Sequence, residues 1–301
     1  MPGDAPAAGT QPAADVSEDV AGRLRAVRGF VLDLDGTLVL GDRRNHRLSP
    51  LPGALALIRW LTQRDVPFVI LTNGTTRTPR HYAQMLRELG FAVADDAVLT
   101  PATNAARLLR RRGHRRVMAL GNEGLAGPLR DAGLEVVAPV DGAVADAVLV
   151  GWCPDFTMRD LEAACQSVWA GAALYSSSQS IFFASAEGKA LGTSRAISAM
   201  IKSITACRVQ LVGKPSLHAL RSAAGRLGMA PQDIAVVGDD PDLEVPMAHR
   251  GRALAIAVRT GVGTAGSFDH LPDTRAPHLS VDGVAELLAI CQRVAGSAGR
   301  D

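Results

Sequence analysis

The sequence predicts an α/β protein built on a doubly wound, largely parallel sheet. Three observations carry that prediction. Strand-like apolar runs alternate with helical patterns from about Gly29 to the end of the chain. Four of those runs stop at short polar clusters: Asp33-Leu34-Asp35-Gly36-Thr37, Thr72-Asn73-Gly74-Thr75, Gly213-Lys214-Pro215-Ser216 and Gly238-Asp239-Asp240. A long run of further α/β units separates the second cluster from the third, which is room for a second α/β layer.

The elements follow in order. Phe30 to Leu34 reads as a short buried strand that breaks at Gly36. Pro52 to Gln63 reads as a helix, with proline in its first turn and apolar residues at Leu55, Leu57, Ile58 and Leu61. Pro67 to Leu71 is the next strand, and Arg80 to Leu89 a helix closed by Gly90. Arg116–Leu120, Glu135–Ala138 and Ala147–Val150 read as strands, and Thr157 to Ala170 as a helix. Val209–Val212 and Ile234–Val237 are strand-like, and Arg252 to Val258 is expected to be the last core strand. The division this implies is a disordered tail over 1–22, a core from 23–78 and 210–295, an inserted unit over 79–209 and a flexible tail over 296–301.

Composition bounds the class. A chain of 301 residues with 47% hydrophobic residues and a net charge of +2 matches an ordinary globular protein. No apolar run approaches the roughly 18 residues of a membrane span. Met1 to Asp19 is rich in Ala, Pro and Gly and has no apolar centre, so it does not resemble a secretory signal. Cys153, Cys165, Cys207 and Cys291 are far apart and form no C-x-x-C pair, which favours reduced thiols and a cytoplasmic protein.

The clusters point to one chemistry. Asp33 and Asp35 lie two residues apart, so a regular strand would turn both to one face at its carboxyl end. Two close carboxylates repel each other, and a hard divalent cation is the usual remedy. One can then act as nucleophile while the other handles protons. Thr72, with the backbone N–H groups of Asn73 and Gly74, offers donors for phosphoryl oxygens. Lys214, one of only three lysines, offers a fixed cation, and Asp239 and Asp240 offer further metal ligands. A parallel sheet would gather all four clusters along one edge.

The ordered set DLDGT, LTNGT, GKPS and VGDD resembles motifs I to IV of the haloacid dehalogenase superfamily. The Gly-Lys-Pro-Ser form and the insert of about 130 residues before it resemble the NagD-like class IIA, in which the insert is an α/β cap called C2. The likeness runs from about Arg28 to Leu288. It implies a Rossmann-like core, Mg²⁺ as cofactor, and hydrolysis of a small phosphorylated metabolite through an aspartyl-phosphate. Carried over residue by residue, Asp33 is the expected nucleophile, Asp35 the acid and base, and Gly36, Thr72, Asn73, Gly74 and Lys214 the phosphate site. Asp33, Asp35 through its carbonyl, and Asp239 are the expected metal ligands, with Asp240 or Glu244 filling a further acidic role. Two departures stand out: Glu244 where the family has aspartate, and Ser177-Ser178-Gln179-Ser180 where the family's cap carries Thr-Asn-x-Asp. Ser178, Gln179 and Ser180 are therefore the expected specificity loop, with the substrate left open among sugar phosphates, phosphoglycolate, glycerol phosphate, pyridoxal phosphate and nucleotides. Relatives pair through the cap, so a homodimer is expected by resemblance. A phosphotransferase, or a non-catalytic module that binds phosphometabolites, is the alternative.

Two patterns are set aside. Gly261-Val262-Gly263-Thr264-Ala265-Gly266 spells G-x-G-x-x-G, but Phe268 and Pro272 follow instead of a helix, so it reads as a flexible loop and not a dinucleotide site. Arg110-Arg111-Arg112 with Arg115-Arg116 closes a helix, where cations suit the dipole, and no aromatic residue interleaves it. It reads as solvated surface, and neither nucleic acid nor membrane is an expected partner.

Overall fold

The structure is a computed structural model that describes residues 16–41, 48–185, 188–263, 267–268, 271–272 and 275–297. In chain order its first elements are α1 (Glu18–Ala26), β1 (Gly29–Leu32), β2 (Val39–Leu40), β3 (Ser49–Pro50), α2 (Ala54–Gln63), β4 (Phe68–Leu71), α3 (Pro79–Glu88) and β5 (Val98–Leu99). There follow α4 (Pro101–Arg111), β6 (Arg116–Leu120), α5 (Glu123–Asp131), β7 (Glu135–Val137), β8 (Ala147–Val150), α6 (Met158–Trp169), β9 (Ala173–Ser176), β10 (Phe182–Ser185), β11 (Gly188–Leu191) and α7 (Thr193–Thr205). The last are β12 (Val209–Leu211), α8 (Leu217–Leu227), β13 (Ile234–Gly238), α9 (Glu244–Gly251), β14 (Leu254–Val258), β15 (Leu279–Val281) and α10 (Val284–Ser297).

Two parallel sheets organise the chain. The first has six strands in the order β15-β14-β13-β1-β4-β5, the second five in the order β12-β9-β8-β6-β7. Alternation along β1 shows why the first sheet is wound on both faces. Phe30 and Leu32 enter one apolar cluster with Leu57, Leu86 and Leu287, while Val31 enters the opposite one with Leu220, Val245 and Met247. The second sheet repeats the device on β6, with Val117 and Ala119 on one face and Met118 and Leu120 on the other. Register then positions the polar clusters: Leu32 pairs with Ile70 on one side and Val237 on the other, so the residues just beyond all three emerge on one sheet edge.

Several expectations need correcting. Residues 18–22, expected in the disordered tail, instead open α1 (Glu18–Ala26). Ser17 caps it by accepting from the Val20 N–H, acidic residues fill its first turn, and Ala21 and Leu24 are buried. Residues 1–15 lie outside the described residues, as do 298–301. Residues 296 and 297, expected in the flexible tail, belong to α10, which runs to Ser297. The expected break at 78/79 also moves. Tyr82, Ala83 and Leu86 of α3 pack in the first sheet's core, and β5 hydrogen-bonds to β4, so the chain crosses to the second sheet through α4. The return crossing lies beyond 210, because β12 pairs with β9 through Leu211. Leu254–Val258 is followed by another core strand, Leu279–Val281. Among the described residues, no helix is long and apolar enough to cross a membrane, and the four cysteines are free thiols.

Candidate active site

The polar clusters meet in one cavity, between a floor and a roof, but not along one sheet edge as expected. Three follow strands of the first sheet, while Gly213-Lys214-Pro215-Ser216 follows β12 of the second and brings Lys214 down to the floor. At the floor, Asp33, Lys214, Asp239 and Glu244 are only 5%, 3%, 2% and 2% exposed. Ionised groups this deep persist only when paired. Lys214 Nζ bonds to Asp33 Oδ1 and lies 2.6 Å from Glu244 Oε1. Asp33 Oδ2 accepts from the Thr37 hydroxyl at 3.2 Å. Burial opposes charge on Lys214, but Asp33 and Glu244 outweigh it and hold the ammonium pKa above its usual value. Burial acts the other way on the acids. With the charges of Asp33 and Glu244 added, it raises the Asp239 carboxyl well above the carboxylate range. Burial likewise raises Glu244, against the pull of Lys214.

Asp35 sits higher in the cavity, its Oδ2 accepting from the Thr72 hydroxyl at 3.2 Å. Thr72 in turn accepts from the Gly74 N–H at 2.9 Å. Gly36, expected at the phosphate, permits a close approach to Asp239. Its φ is +88°, and a Cβ there would stand 2.5 Å from Asp239 Oδ2. Asn73 works through its side chain. Its Oδ1 accepts from the Lys214 N–H at 2.8 Å, and its Nδ2 donates to the Lys214 carbonyl at 3.1 Å and to the Ser178 hydroxyl at 3.2 Å. It therefore fastens the strand-end loops to each other and to the roof.

Glu244 and Asp240 take different places. Glu244 Oε2 accepts from the Asp240 N–H at 3.1 Å while its other oxygen faces Lys214, so this side chain orients the lysine. Its extra methylene lies where a Cβ on Gly238 would stand, 2.0 Å from Glu244 Cγ, so glycine makes the room. Asp240 lines the cavity, and its Oδ1 accepts from the Asp242 N–H at 2.8 Å.

Among the described residues, no three His, Cys, Asp or Glu side chains form a closed metal cage. The donor set nevertheless fits Mg²⁺, which favours oxygen ligands and is usually held by one or two carboxylates together with substrate phosphate and water. Asp33, Asp239 and Glu244 outnumber the one ammonium among them, and a divalent cation beside Asp33 and Asp239 would stabilise the ionised form of Asp239 that burial disfavours.

The sequence reading missed a second clamp. The Gly261–Gly263 segment, read as a flexible loop, packs on the floor: Val262 N–H donates to Asp239 Oδ2 at 2.5 Å, and Gly263 N–H to the Asp239 carbonyl at 2.8 Å. The Thr260 hydroxyl donates to the Gly36 carbonyl at 2.5 Å. Residues 264–266 of that pattern lie outside the described residues. The position of the glycines directly after a core strand was the available signal. Tyr82 was missed as well. It is fully buried, lines the cavity, and burial followed by the charge of Asp35 pushes its pKa up to about 12.

The roof is built from Trp152, Ser177, Ser178, Ser180, Phe182 and Ser194. The Trp152 N–H donates to the Thr75 hydroxyl at 2.9 Å, and Ser178 Oγ donates to Ser180 Oγ at 2.9 Å, so this face is cross-braced. Gln179, expected beside Ser178 and Ser180, faces elsewhere. It lines a neighbouring cavity with Ser198 and Lys202, and its carbonyl accepts from Arg195 at 3.2 Å.

Comparison with known proteins places this geometry. A haloacid dehalogenase-like hydrolase family matches residues 30–135, and a HAD-hydrolase-like family matches residues 211–287. The chain belongs to the haloacid dehalogenase-like hydrolases. This hydrolase is 28% identical over 242 residues to the acid sugar phosphatase of Staphylococcus haemolyticus, covering 80% of this chain and 88% of that protein. The 4-nitrophenylphosphatase of Thermotoga maritima superposes with a TM-score of 0.78 at 27% identity, covering 89% and 98% of the two chains. The glycerol phosphate phosphatase of Mycobacterium tuberculosis, solved in complex with magnesium, gives 0.76 at 26% identity, covering 88% and 77%.

Proposed function

We propose that this hydrolase cleaves phosphate monoesters of small metabolites through a phosphoryl group carried on Asp33. The observation that carries the reading is a buried carboxylate, held between the Lys214 ammonium and the Thr37 hydroxyl, in the same cavity as a second carboxylate bonded to Thr72. Asp33 attacks phosphorus, and the bond from phosphorus to the ester oxygen breaks. Asp35 gives its proton to the leaving alkoxide, then takes one from the water that attacks the aspartyl-phosphate. Inorganic phosphate leaves, and Asp33 is restored. Lys214, Thr72 and the backbone N–H groups beside it neutralise and orient the phosphoryl oxygens. Asp33, the Asp35 carbonyl and Asp239 would hold Mg²⁺, which when bound supplies positive charge against the carboxylates and the phosphoryl oxygens. The magnesium-bound mycobacterial relative supports that choice of ion.

The roof narrows the substrate. Its lining residues are hydroxyl-bearing or aromatic, and none carries a charge. Such a surface suits a neutral, hydroxyl-rich leaving group that hydrogen-bonds to Ser178 and Ser180 and stacks on Trp152. Sugar and polyol phosphates are that class, and relatives named acid sugar phosphatase and glycerol phosphate phosphatase support it. The test is inorganic phosphate release from a panel of monoesters with and without Mg²⁺. Release that needs Mg²⁺ and favours sugar and polyol phosphates over carboxylated or aminated ones is expected. Preference for a charged leaving group would overturn the substrate assignment, and no release from any monoester would overturn the reaction.

A further inference from the structure

Away from the active site, a cavity of about 330 Å³ opens where the chain crosses between the two sheets. Arg107, Arg111 and Arg112 line it from α4 and its C-terminal end, Gln210 from β12, and His218 and Arg221 from α8. Four guanidinium groups therefore share one concavity. Several arginines elsewhere pair with acids: Arg25 with Glu18, Arg87 with Asp95, Arg116 with Glu135 and Arg130 with Glu123. Among the described residues, no carboxylate pairs with Arg107, Arg111, Arg112 or Arg221.

The helix dipole does not account for this concentration. It favours Arg111 and Arg112 at the end of α4, but Arg221 lies inside α8 and Arg107 a turn before the end of α4. Parts of the cluster are held in place. Arg112 donates to the Tyr175 hydroxyl at 2.8 Å and to Gln210, and the His218 ring bonds to the Asn104 carbonyl at 3.1 Å. Arg107 lies against α8, where a Cβ on Gly225 would stand 3.2 Å from its guanidinium. Burial, and after it the charges of Arg111, Arg107 and Arg112, keep His218 below its ordinary pKa, which shows how closely these cations crowd the ring. Asn104, one turn before Arg107 on α4, is 1% exposed, and neither polar atom of its side-chain amide has a partner among the described residues.

We propose that this cavity is a second anion site, distinct from the active site, that takes a compact ligand bearing two or more phosphate charges. Guanidinium forks match phosphate oxygens two at a time, and such a ligand would neutralise a cluster the protein leaves uncompensated. It would also tie α4 to β12 and α8, the two crossings that join floor and roof. The proposal does not depend on the phosphatase reading.

Isothermal titration of inorganic pyrophosphate into the full chain, in EDTA and without divalent cation, tests it. Under those conditions the active-site floor has more carboxylates than cations and repels the probe. Saturable binding is expected that weakens at least about tenfold in Arg111→Gln/Arg221→Gln, roughly 1.4 kcal/mol, and persists in Asp33→Asn. Arg221→Gln alone, at an exposed position, serves if the double variant does not fold, with Arg221→Lys expected to retain part of the affinity. Absence of binding, equal binding by the arginine variants, loss in Asp33→Asn, or binding of a short RNA without binding of pyrophosphate would each overturn the proposal.

Discussion

The floor and the roof of the active-site cavity are made of opposite materials. At the floor, Asp33, Asp35 and Asp239 follow strands of the first sheet, Glu244 opens α9, and Lys214 follows β12 of the second sheet. The roof presents serine hydroxyls with Trp152 and Phe182. The floor carries charge in low dielectric, where each group fixes the state of the next: Lys214 is held by Asp33 and Glu244, and Asp239 is squeezed by both acids. The roof carries neutral groups, each of which can change without leaving a stranded charge. A fold divided this way can keep one reaction at the floor while its choice of leaving group drifts at the roof.

If that division holds, the largest effect comes from the floor. Asp33→Asn keeps an acceptor for the Thr37 hydroxyl but removes the nucleophile, and kcat for phosphate release is expected to fall by about 10⁴-fold or more. A fall of less than tenfold would break the comparison. Lys214→Met comes next. It leaves Asp33 and Glu244 facing each other without a cation, and urea unfolding should show a loss of about 3–5 kcal/mol. Adding Glu244→Gln should recover part of that loss, and a double variant no more stable than Lys214→Met would contradict the pairing.

The roof should respond differently. Trp152→Ala removes an aromatic surface from the leaving-group side, and KM for a sugar phosphate is expected to rise about tenfold while kcat changes less. A kcat collapse with KM unchanged would place Trp152 with the reacting atoms. The smallest effect lies outside both regions. Burial, then the charges of Arg23 and His249, lower His278 to about 4, while Asp19 pulls the other way. Its Nδ1 accepts from the Ala255 N–H at 2.8 Å. In the unfolded chain the group titrates near its ordinary value of about 6.5. As pH falls from about 6.5 to 4 the unfolded state therefore binds a proton the folded state refuses, and stability drops through that window. His278→Gln should show a smaller fall in Tm between pH 7 and 5, and an identical fall would remove this group from the account.

The contrast between floor and roof also explains what the sequence made legible. Asp33, Thr72 and Asp239 each follow directly on an apolar strand, and parallel register carries that local signal to one edge. Lys214 instead follows β12 of the second sheet and reaches them only through the packing of the two sheets. The roof has no such rule. Trp152, Phe182 and Ser194 come from a loop, a hairpin strand and a helix start, and only the tertiary arrangement of the second sheet brings them over the floor. Gln179 shows the same limit, because it lies between Ser178 and Ser180 in sequence yet lines a different cavity. The Thr260–Gly263 clamp was hidden for another reason. Its glycines allow close approach to Asp239, a contact with a partner some twenty residues away that local pattern cannot distinguish from a loop. The start of α1 was readable from Ser17, Glu18 and Asp19, but the Ala- and Pro-rich composition before them masked it.

The central claim is that Asp33 carries the phosphoryl group. Acid quench of a single turnover with an active sugar phosphate and Mg²⁺, followed by mass analysis of the peptide containing Asp33, tests it most directly. The account predicts a phosphorylated Asp33 in the native chain that disappears as inorganic phosphate accumulates, and none in Asp33→Asn. Turnover with no adduct at any quench time, or an adduct on another residue, would contradict it.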